Sequence, residues 1–145
     1  METTELFRGR LIDHLQLVVA DVERSKRFYE AVLGALGIPI GGEGPGFFWA
    51  DELFVSGKDS PAAAGKLTGR AHFAFQAPNR EVVAECHRAG LAAGGTDHGA
   101  PGLRAYHPGY FAAFLLDPDG NNVEIVFHGP AERSSNAVTI KFPSS

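Results

Sequence analysis

The sequence predicts an α+β fold made of two consecutive βαβββ units. A strand pattern, a helix-capping residue and a helix-ending glycine occur twice, at the same intervals of seven and twenty-three residues. The intervals run from His14 to Asp21 and Gly37, and from His72 to Asn79 and Gly95. Because one such unit cannot cover both faces of a curved sheet, we expect the two units to close around each other. Equivalent strand positions would then face one cavity.

Three local signals define the elements of each unit: alternating apolar and polar residues for strands, an apolar stripe for the helix, and glycine at the helix end. Asp21 and Asn79 are the expected N-caps, because their side chains accept hydrogen bonds from backbone amides. The first unit is assigned a strand at 11–19, a helix ending at Gly34 or Gly37, a glycine-rich loop at 41–46, and hairpin strands at 47–50 and 53–56 around Asp51 and Glu52. The second unit is assigned a strand at 70–76, a helix ending at Gly94 and Gly95, a long loop at 96–109, and strands at 110–116 and 123–128. An edge strand at 137–142 follows.

These assignments make residues 1–145 one domain, with the first repeat at about 11–57 and the second at about 70–129. The alanine-, proline- and glycine-rich segment 58–69 is the expected linker between them.

One carboxylate stands out in the second unit. The segment 117–122 contains Asp-Pro and Asp-Gly pairs, which favour a turn, and the strand after it carries Glu124 on the same face as Val126. A carboxylate in the middle of a half-buried strand is costly unless it is paired or bound to a metal ion. Glu124 is therefore the first candidate for a functional residue, whereas the carboxylates of the turn are expected to be structural.

Composition narrows the class of partner. The net charge is −4 and no basic stretch is present, so nucleic acid is not an expected partner. Cys86 is the single cysteine and the first ten residues contain no long apolar run. These features predict a cytoplasmic protein that has no membrane anchor.

The chain resembles the vicinal oxygen chelate superfamily, which includes glyoxalase I, extradiol dioxygenases, fosfomycin-resistance transferases and bleomycin-binding proteins. The resemblance rests on Ile12-Asp13-His14, Arg70-Ala71-His72-Phe73 and the segment from Asp117 to Glu124. It implies a cup-shaped open barrel of mixed sheet, with His14, His72 and Glu124 as metal ligands. A homodimer is also expected, and the linker at 58–69 permits the barrel to close either within each chain or by exchange between chains.

The chemistry of two imidazoles and one carboxylate agrees with that ligand set. On three strands they can occupy one face of a divalent ion and leave open positions for a substrate with adjacent oxygen atoms. Fe²⁺, Mn²⁺, Ni²⁺, Co²⁺ and Zn²⁺ all suit these ligands. Such a site supports glyoxalase-like lyase or isomerase chemistry, or oxygenation. One alternative is that the histidines are ordinary core residues. Two other functions also stay open: the cup binds or sequesters a small molecule without catalysis, or the chain is a structural dimer module with a vestigial site.

The residues around the three expected ligands do not indicate which enzyme class of the superfamily this chain resembles most. Val18 and Ser56 stand where glyoxalase I has its glutathione-binding residues, and Phe114 stands where dioxygenases and fosfomycin transferases have a tyrosine. Tyr110 and His107 are the candidates for proton transfer instead, although His107 is equally compatible with a place on the surface.

Four further side chains are possible contributors. Glu52 aligns in layout with Glu124 and is either a fourth ligand, as in glyoxalase I, or the exposed part of a turn. Gln16 and Gln76 lie on the histidine faces of their strands and can bind substrate or water. Arg104 either binds an acidic group of the substrate or is simply solvated.

Overall fold

Two mixed β-sheets of four strands, each with one helix, form the two halves of the chain. The structure is a computed structural model that describes residues 5–143. Its strands are β1 (Glu5–Arg8), β2 (Leu15–Val18), β3 (Gly42–Gly44), β4 (Phe47–Ala50), β5 (Leu53–Ser56), β6 (His72–Gln76), β7 (Thr96–Leu103), β8 (Phe111–Leu116), β9 (Asn122–Phe127) and β10 (Val138–Lys141). The helices are α1 (Val22–Ala35) and α2 (Arg80–Ala92), and a short 3₁₀ turn lies at Pro61–Ala63.

The two sheets have the same topology. Their strand orders are β2-β5-β4-β3 and β6-β9-β8-β7, with the first pair parallel and the other pairs antiparallel in each. The predicted α+β class and the two βαβββ repeats are therefore confirmed. Both sheets are open, and within residues 5–143 no strand of one sheet pairs with a strand of the other.

The strand registers correct one detail of the repeat. Gln16 pairs with Phe54 in the first sheet, and Ala74 pairs with Glu124 in the second. Since Gln16 and Ala74 both lie two residues after their histidine, Phe54 occupies the position equivalent to Glu124. The layout that aligned Glu52 with Glu124 is wrong by two residues.

Helix ends were predicted well because they depend on local contacts. The Asp21 side chain accepts a hydrogen bond from the Arg24 amide at 3.1 Å, and Asn79 accepts one from the Val82 amide at 2.8 Å. Helix α1 ends at Ala35, and Gly37 follows with φ of +81°. The hairpin strands β4 and β5 have the predicted bounds, with Asp51 in the turn at φ of +45°.

Glycine-rich strands were missed. The segments predicted as loops contain β3 and β7, and β1 was not anticipated. The first strand was predicted at 11–19, but the corresponding strand β2 spans only Leu15–Val18. In β3, the absence of a side chain at Gly42 lets Trp49 lie against the strand, so glycine there serves packing rather than a turn.

The helices pack against each other between the sheets, and both contribute to one apolar cluster. Gly90 of α2 lies at the closest approach. A Cβ atom built there would come within 2.5 Å of Leu115, 3.0 Å of Val32 and 3.3 Å of Phe28. The contact therefore depends on glycine at this position.

Replacing Gly90 with alanine should lower the free energy of unfolding by about 1–3 kcal/mol, because the added methyl group overfills a closed interface. Gly34 of α1 is the matched control, since a Cβ atom there has no neighbour within 4 Å. Gly34→Ala should leave stability unchanged or raise it by up to about 1 kcal/mol through helix propensity. Urea unfolding of both variants tests the packing, and equal effects of the two substitutions would contradict it.

The turn before β9 joins the two halves of the chain. Asp117 is buried, and one of its oxygens accepts hydrogen bonds from the Tyr29 hydroxyl of α1 and the Asn121 side chain. Its other oxygen accepts from the backbone amides of Asp119 and Asn121 at 2.9 and 2.8 Å. Asp119 reaches the start of α1, where it accepts from the Ala20 amide at 3.0 Å. The turn carboxylates are therefore structural, as predicted, and they also bind the second half to the first.

The predicted edge strand at 137–142 exists as β10, but it pairs with β1 instead of extending either sheet. The two strands are antiparallel, with Glu5 opposite Lys141 and Arg8 opposite Val138.

Candidate functional site

Within residues 5–143, no helix covers one face of the second sheet, and Glu124 lies in the middle of that face. The alternation in β6 leaves His72, Ala74 and Gln76 exposed, while helix α2 covers the opposite face. Ala74, Glu124 and Phe114 are in register across β6, β9 and β8, so their side chains share the open face with His72.

Glu124 is almost fully buried, with 4% exposure, although it belongs to this open face. The Tyr110 hydroxyl donates a hydrogen bond to one oxygen of Glu124, and His72 Nε2 lies 3.2 Å from the other. Burial, together with the adjacent Glu124, raises the pKa of Tyr110 to about 12. Tyr110 therefore remains a protonated donor at neutral pH. One oxygen of Glu124 accepts its hydrogen bond, and the other oxygen faces His72.

The tautomer of His72 follows from its other ring nitrogen. Nδ1 lies 3.0 Å from the backbone oxygen of Asn122, and a carbonyl oxygen can only accept. Nδ1 therefore carries the proton, and in neutral His72 the lone pair of Nε2 points toward the Glu124 carboxylate. Two electron-rich atoms that face each other repel, so the arrangement of Nε2 and the Glu124 carboxylate is stabilised by a cation bound between them or by a proton on Nε2. The pair fits two ligands of one metal ion.

In the first half of the chain, the Nδ1 atom of His14 is likewise engaged by a nearby oxygen atom. Its Nδ1 lies 2.7 Å from the Asp13 carboxylate, which leaves Nε2 free, and its side chain is 54% exposed. The His14 ring also packs edge-on against Phe54, with ring centroids 5.3 Å apart. Within one chain, over residues 5–143, no three His, Cys, Asp or Glu side chains come together as a metal site. One chain thus brings together His72 and Glu124 but not His14.

The two predicted proton-transfer residues lie together beside Glu124. The rings of His107 and Tyr110 pack edge to face at 5.3 Å, and His107 Nε2 lies 2.9 Å from Nδ1 of His128. His107 Nδ1 faces the Pro108 backbone oxygen at 2.9 Å, so His128 is the donor in the imidazole pair when both rings are neutral. Sequence reasoning missed His128. Its place directly after β9, four residues beyond Glu124, was the available signal.

A cavity of about 640 Å³ lies at the first sheet, lined by residues of β2, β4 and β5 and of the segment that follows β5. Phe47 and Phe54 supply apolar walls, and Gln16 supplies an amide. The Gln16 amide donates to the Ser56 hydroxyl at 2.8 Å, so its position is fixed. This cavity has the mixture of apolar surface and few polar groups that small-molecule sites favour.

Two other predicted residues occupy different surroundings. Glu52 lies in the β4–β5 turn, half-buried, and burial raises its pKa. Gln76 accepts a hydrogen bond from Arg133 of the C-terminal segment, which therefore reaches the open face of the second sheet.

Two family models match this chain. Residues 12–34 match the model described as bleomycin resistance protein-like N-terminal, and residues 40–125 match the glyoxalase/bleomycin resistance protein/dioxygenase superfamily. The second match covers more than half of the chain. The chain belongs to the glyoxalase/bleomycin resistance protein/dioxygenase superfamily. The predicted relationship to this group, also known as the vicinal oxygen chelate superfamily, is thereby confirmed.

Individual relatives agree with the superfamily. A virulence protein of Salmonella typhimurium is 31% identical over 123 residues, which cover 79% of this chain and 81% of the relative. A crystal structure of a glyoxalase/bleomycin resistance protein from Albidiferax ferrireducens T118 has a TM-score of 0.65 and 31% identity, covering 80% of this chain and 97% of that one. A lactoylglutathione lyase from Agrobacterium tumefaciens has a TM-score of 0.57 at 21% identity, over 81% of this chain and 93% of the other, and shares the fold.

Neither helix between residues 5 and 143 has the length and apolar character required to cross a membrane.

Proposed function

We propose that this member of the superfamily is a metal-dependent enzyme whose small substrate binds through adjacent oxygen atoms. His14, His72 and Glu124 would hold the ion, which is Fe²⁺, Mn²⁺, Ni²⁺, Co²⁺ or Zn²⁺. The observation that carries the proposal is that both histidines have Nδ1 engaged and Nε2 free, one of them against a buried carboxylate. When bound, the ion would polarise the oxygens of the substrate in a lyase, isomerase or dioxygenase reaction.

The groups around Glu124 define what the protein itself contributes. Tyr110 holds one carboxylate oxygen, so the other remains directed toward His72. The pair of His107 and His128 can take up one proton at Nε2 of His128 without losing the hydrogen bond between the rings. Tyr110 and His107 are therefore the proposed residues for orienting the substrate and moving its proton.

A second copy of the chain supplies the missing ligand in this proposal. The ligand side chains of His14 and His72 are both about half exposed, on open faces of separate sheets. In a two-fold dimer, the first sheet of one protomer would cover the second sheet of its partner, which places His14 beside the partner's His72 and Glu124. Each homodimer would then contain two equivalent sites.

Mixing two inactive variants tests this arrangement. His14→Ala and His72→Ala should each abolish stoichiometric metal binding, because every site lacks one imidazole. When equal amounts are unfolded together and refolded, half of the dimers should be mixed, and each mixed dimer has one intact site. About one quarter of the wild-type metal content should return. Metal analysis of the separated dimer measures this fraction.

The control is to mix His72→Ala with Glu124→Gln. Both changes lie in the same sheet, so a mixed dimer contains no intact site and metal content should stay near zero. If the first mixture stays equally empty while each wild-type chain binds its ion, the ligands come from one chain and the exchanged arrangement is wrong. If wild-type protein binds none of the five ions, the metal-dependent function is wrong.

The cavity of the first sheet favours a second candidate function, which is the binding or sequestration of an apolar small molecule without catalysis. Phe47 and Phe54 would contact the ligand, and Gln16 would hydrogen-bond to it. Ligand affinity that is the same with and without metal would favour this candidate. For either function we propose a cytoplasmic location, because Cys86 is the single cysteine and is buried as a free thiol.

A further inference from the structure

Arg104 lies folded back along β7, at the edge of the open face. Its backbone amide donates to the Tyr110 carbonyl at 2.8 Å and closes the β7–β8 hairpin. Its guanidinium donates to the backbone oxygens of Ala100 at 2.8 Å and Leu103 at 3.3 Å. Carbonyl groups of β7, the strand directly before Arg104, therefore hold an otherwise flexible side chain in one position.

Two glycines make room for this conformation. A Cβ atom on Gly99 would lie 3.2 Å from one terminal nitrogen of Arg104, and a Cβ atom on Gly102 would lie 3.1 Å from the other. The register between β7 and β8 shifts on either side of Gly99, whose φ of +155° disfavours other residues. Together Gly99 and Gly102 form a shallow cradle that a side chain at either position would fill.

The cradle places the charge close to the proposed metal ligands. The guanidinium carbon lies 5.4 Å from the centre of the Phe114 ring, and the Phe114 ring stacks against His72 with centroids 6.1 Å apart.

Within residues 5–143, no acidic side chain forms an ion pair with this guanidinium. Arg104 takes part in none of the ion pairs between residues 5 and 143, and its side-chain hydrogen bonds go to backbone oxygens. A guanidinium has five N–H donors, so two hydrogen bonds leave three for a ligand. A fixed and incompletely used fork of donors suits a planar carboxylate.

We propose that Arg104 binds a carboxylate of the substrate, which makes the substrate a small organic acid that also carries adjacent oxygen atoms. The inference rests on the proposed function, because the adjacent oxygens are assigned to the ion held by His72 and Glu124. One guanidinium offers one positive charge, which matches a carboxylate better than a doubly charged phosphonate. Arg104 would then determine the specificity for an acidic substrate, whereas the metal ligands would act only on its adjacent oxygen atoms.

The test compares two catechols of nearly the same shape, one with a charged carboxylate and the other with a neutral amide in its place. Wild-type protein, loaded with the divalent ion that it binds most tightly, is titrated calorimetrically with 3,4-dihydroxybenzoate and 3,4-dihydroxybenzamide under anaerobic conditions. We expect the acid to bind about 10-fold more tightly than the amide, because a charge-assisted hydrogen bond contributes about that much affinity. In Arg104→Gln the ratio should fall to about 1 while the affinity for the amide stays unchanged, and Arg104→Lys should retain part of the preference.

Arg80→Gln is the matched control, because Arg80 also lies over a phenylalanine, with its guanidinium carbon 4.9 Å from the centre of the Phe111 ring. It should keep the full preference for the acid. The inference is overturned if wild-type protein binds acid and amide equally, or if Arg104→Gln keeps the preference. Tighter binding of the corresponding phosphonate overturns the assignment of a carboxylate. If neither catechol binds the metal-loaded protein, the inference fails, whereas the proposed function fails only if the protein binds none of the five ions.

Discussion

Replacing Glu124 with glutamine is expected to weaken the binding of a divalent ion by about 100-fold or more. The amide removes the only negative charge of the proposed ligand set, and loss of a direct ligand should exceed the 10- to 100-fold effect of losing a supporting hydrogen bond. Glutamine has nearly the same shape and can still accept a hydrogen bond from Tyr110, so the fold should be retained. Calorimetric titration of metal-free protein with each of the five ions measures the effect.

Glu132→Gln is the corresponding control, because Glu132 is exposed and lies outside every helix and strand. Its metal affinity should equal that of the wild type. His72→Ala should reproduce the loss seen with Glu124→Gln, since the two side chains face each other at 3.2 Å. Wild-type affinity in both His72→Ala and Glu124→Gln would remove Glu124 and His72 from the ligand set.

Replacing Asp117 with alanine is expected to lower the free energy of unfolding by about 3–5 kcal/mol. Four donors lose their acceptor: the Tyr29 hydroxyl, the Asn121 side chain and the amides of Asp119 and Asn121. Leaving buried donors without partners costs about 1–3 kcal/mol for each group before relaxation or entry of water. Chemical denaturation, followed by circular dichroism, measures the change.

Two companion variants separate the contributions at this turn. Tyr29→Phe removes one donor and leaves the turn intact, so the expected loss is smaller, about 1–2 kcal/mol. Asp59→Ala changes an exposed aspartate in the segment between the two halves and should change stability by less than about 0.5 kcal/mol. An Asp117→Ala effect no larger than that of Asp59→Ala would show that the buried network contributes little.

The fold was predictable from the sequence where local chemistry determines it. The caps at Asp21 and Asn79 and the turn after Asp117 depend on side chains that bond to nearby backbone. The hairpin between β4 and β5 depends on a two-residue turn in which Asp51 has a φ of +45°. Strands β3 and β7 were missed because their glycines make room for the side chains of other residues and do not form turns. Trp49 packs on Gly42, and Arg104 lies over Gly99. Such contacts leave no local pattern.

The site was predictable in part, for a related reason. The repeat identified His72 and Glu124, which adjacent parallel strands place on one face of the second sheet. It could not show that His14 lies on the open face of another sheet, because strand patterns do not specify how two sheets are arranged. His128 and Arg104 gain their significance from rings that they contact, His107 and Phe114, and these neighbours are known only from the folded chain.

The antiparallel pairing of β1 with β10 allows the two halves of the chain to be connected in the opposite order. Because Glu5 lies opposite Lys141, a short peptide could join the chain near its two ends, and a new opening within residues 58–69 would then make a circular permutant. The second half would be synthesised first, yet every contact between α1 and α2 and every bond of Asp117 would be available as before. The order of the halves along the chain is therefore separable from their arrangement in space, and only the entropy of closing a loop would differ.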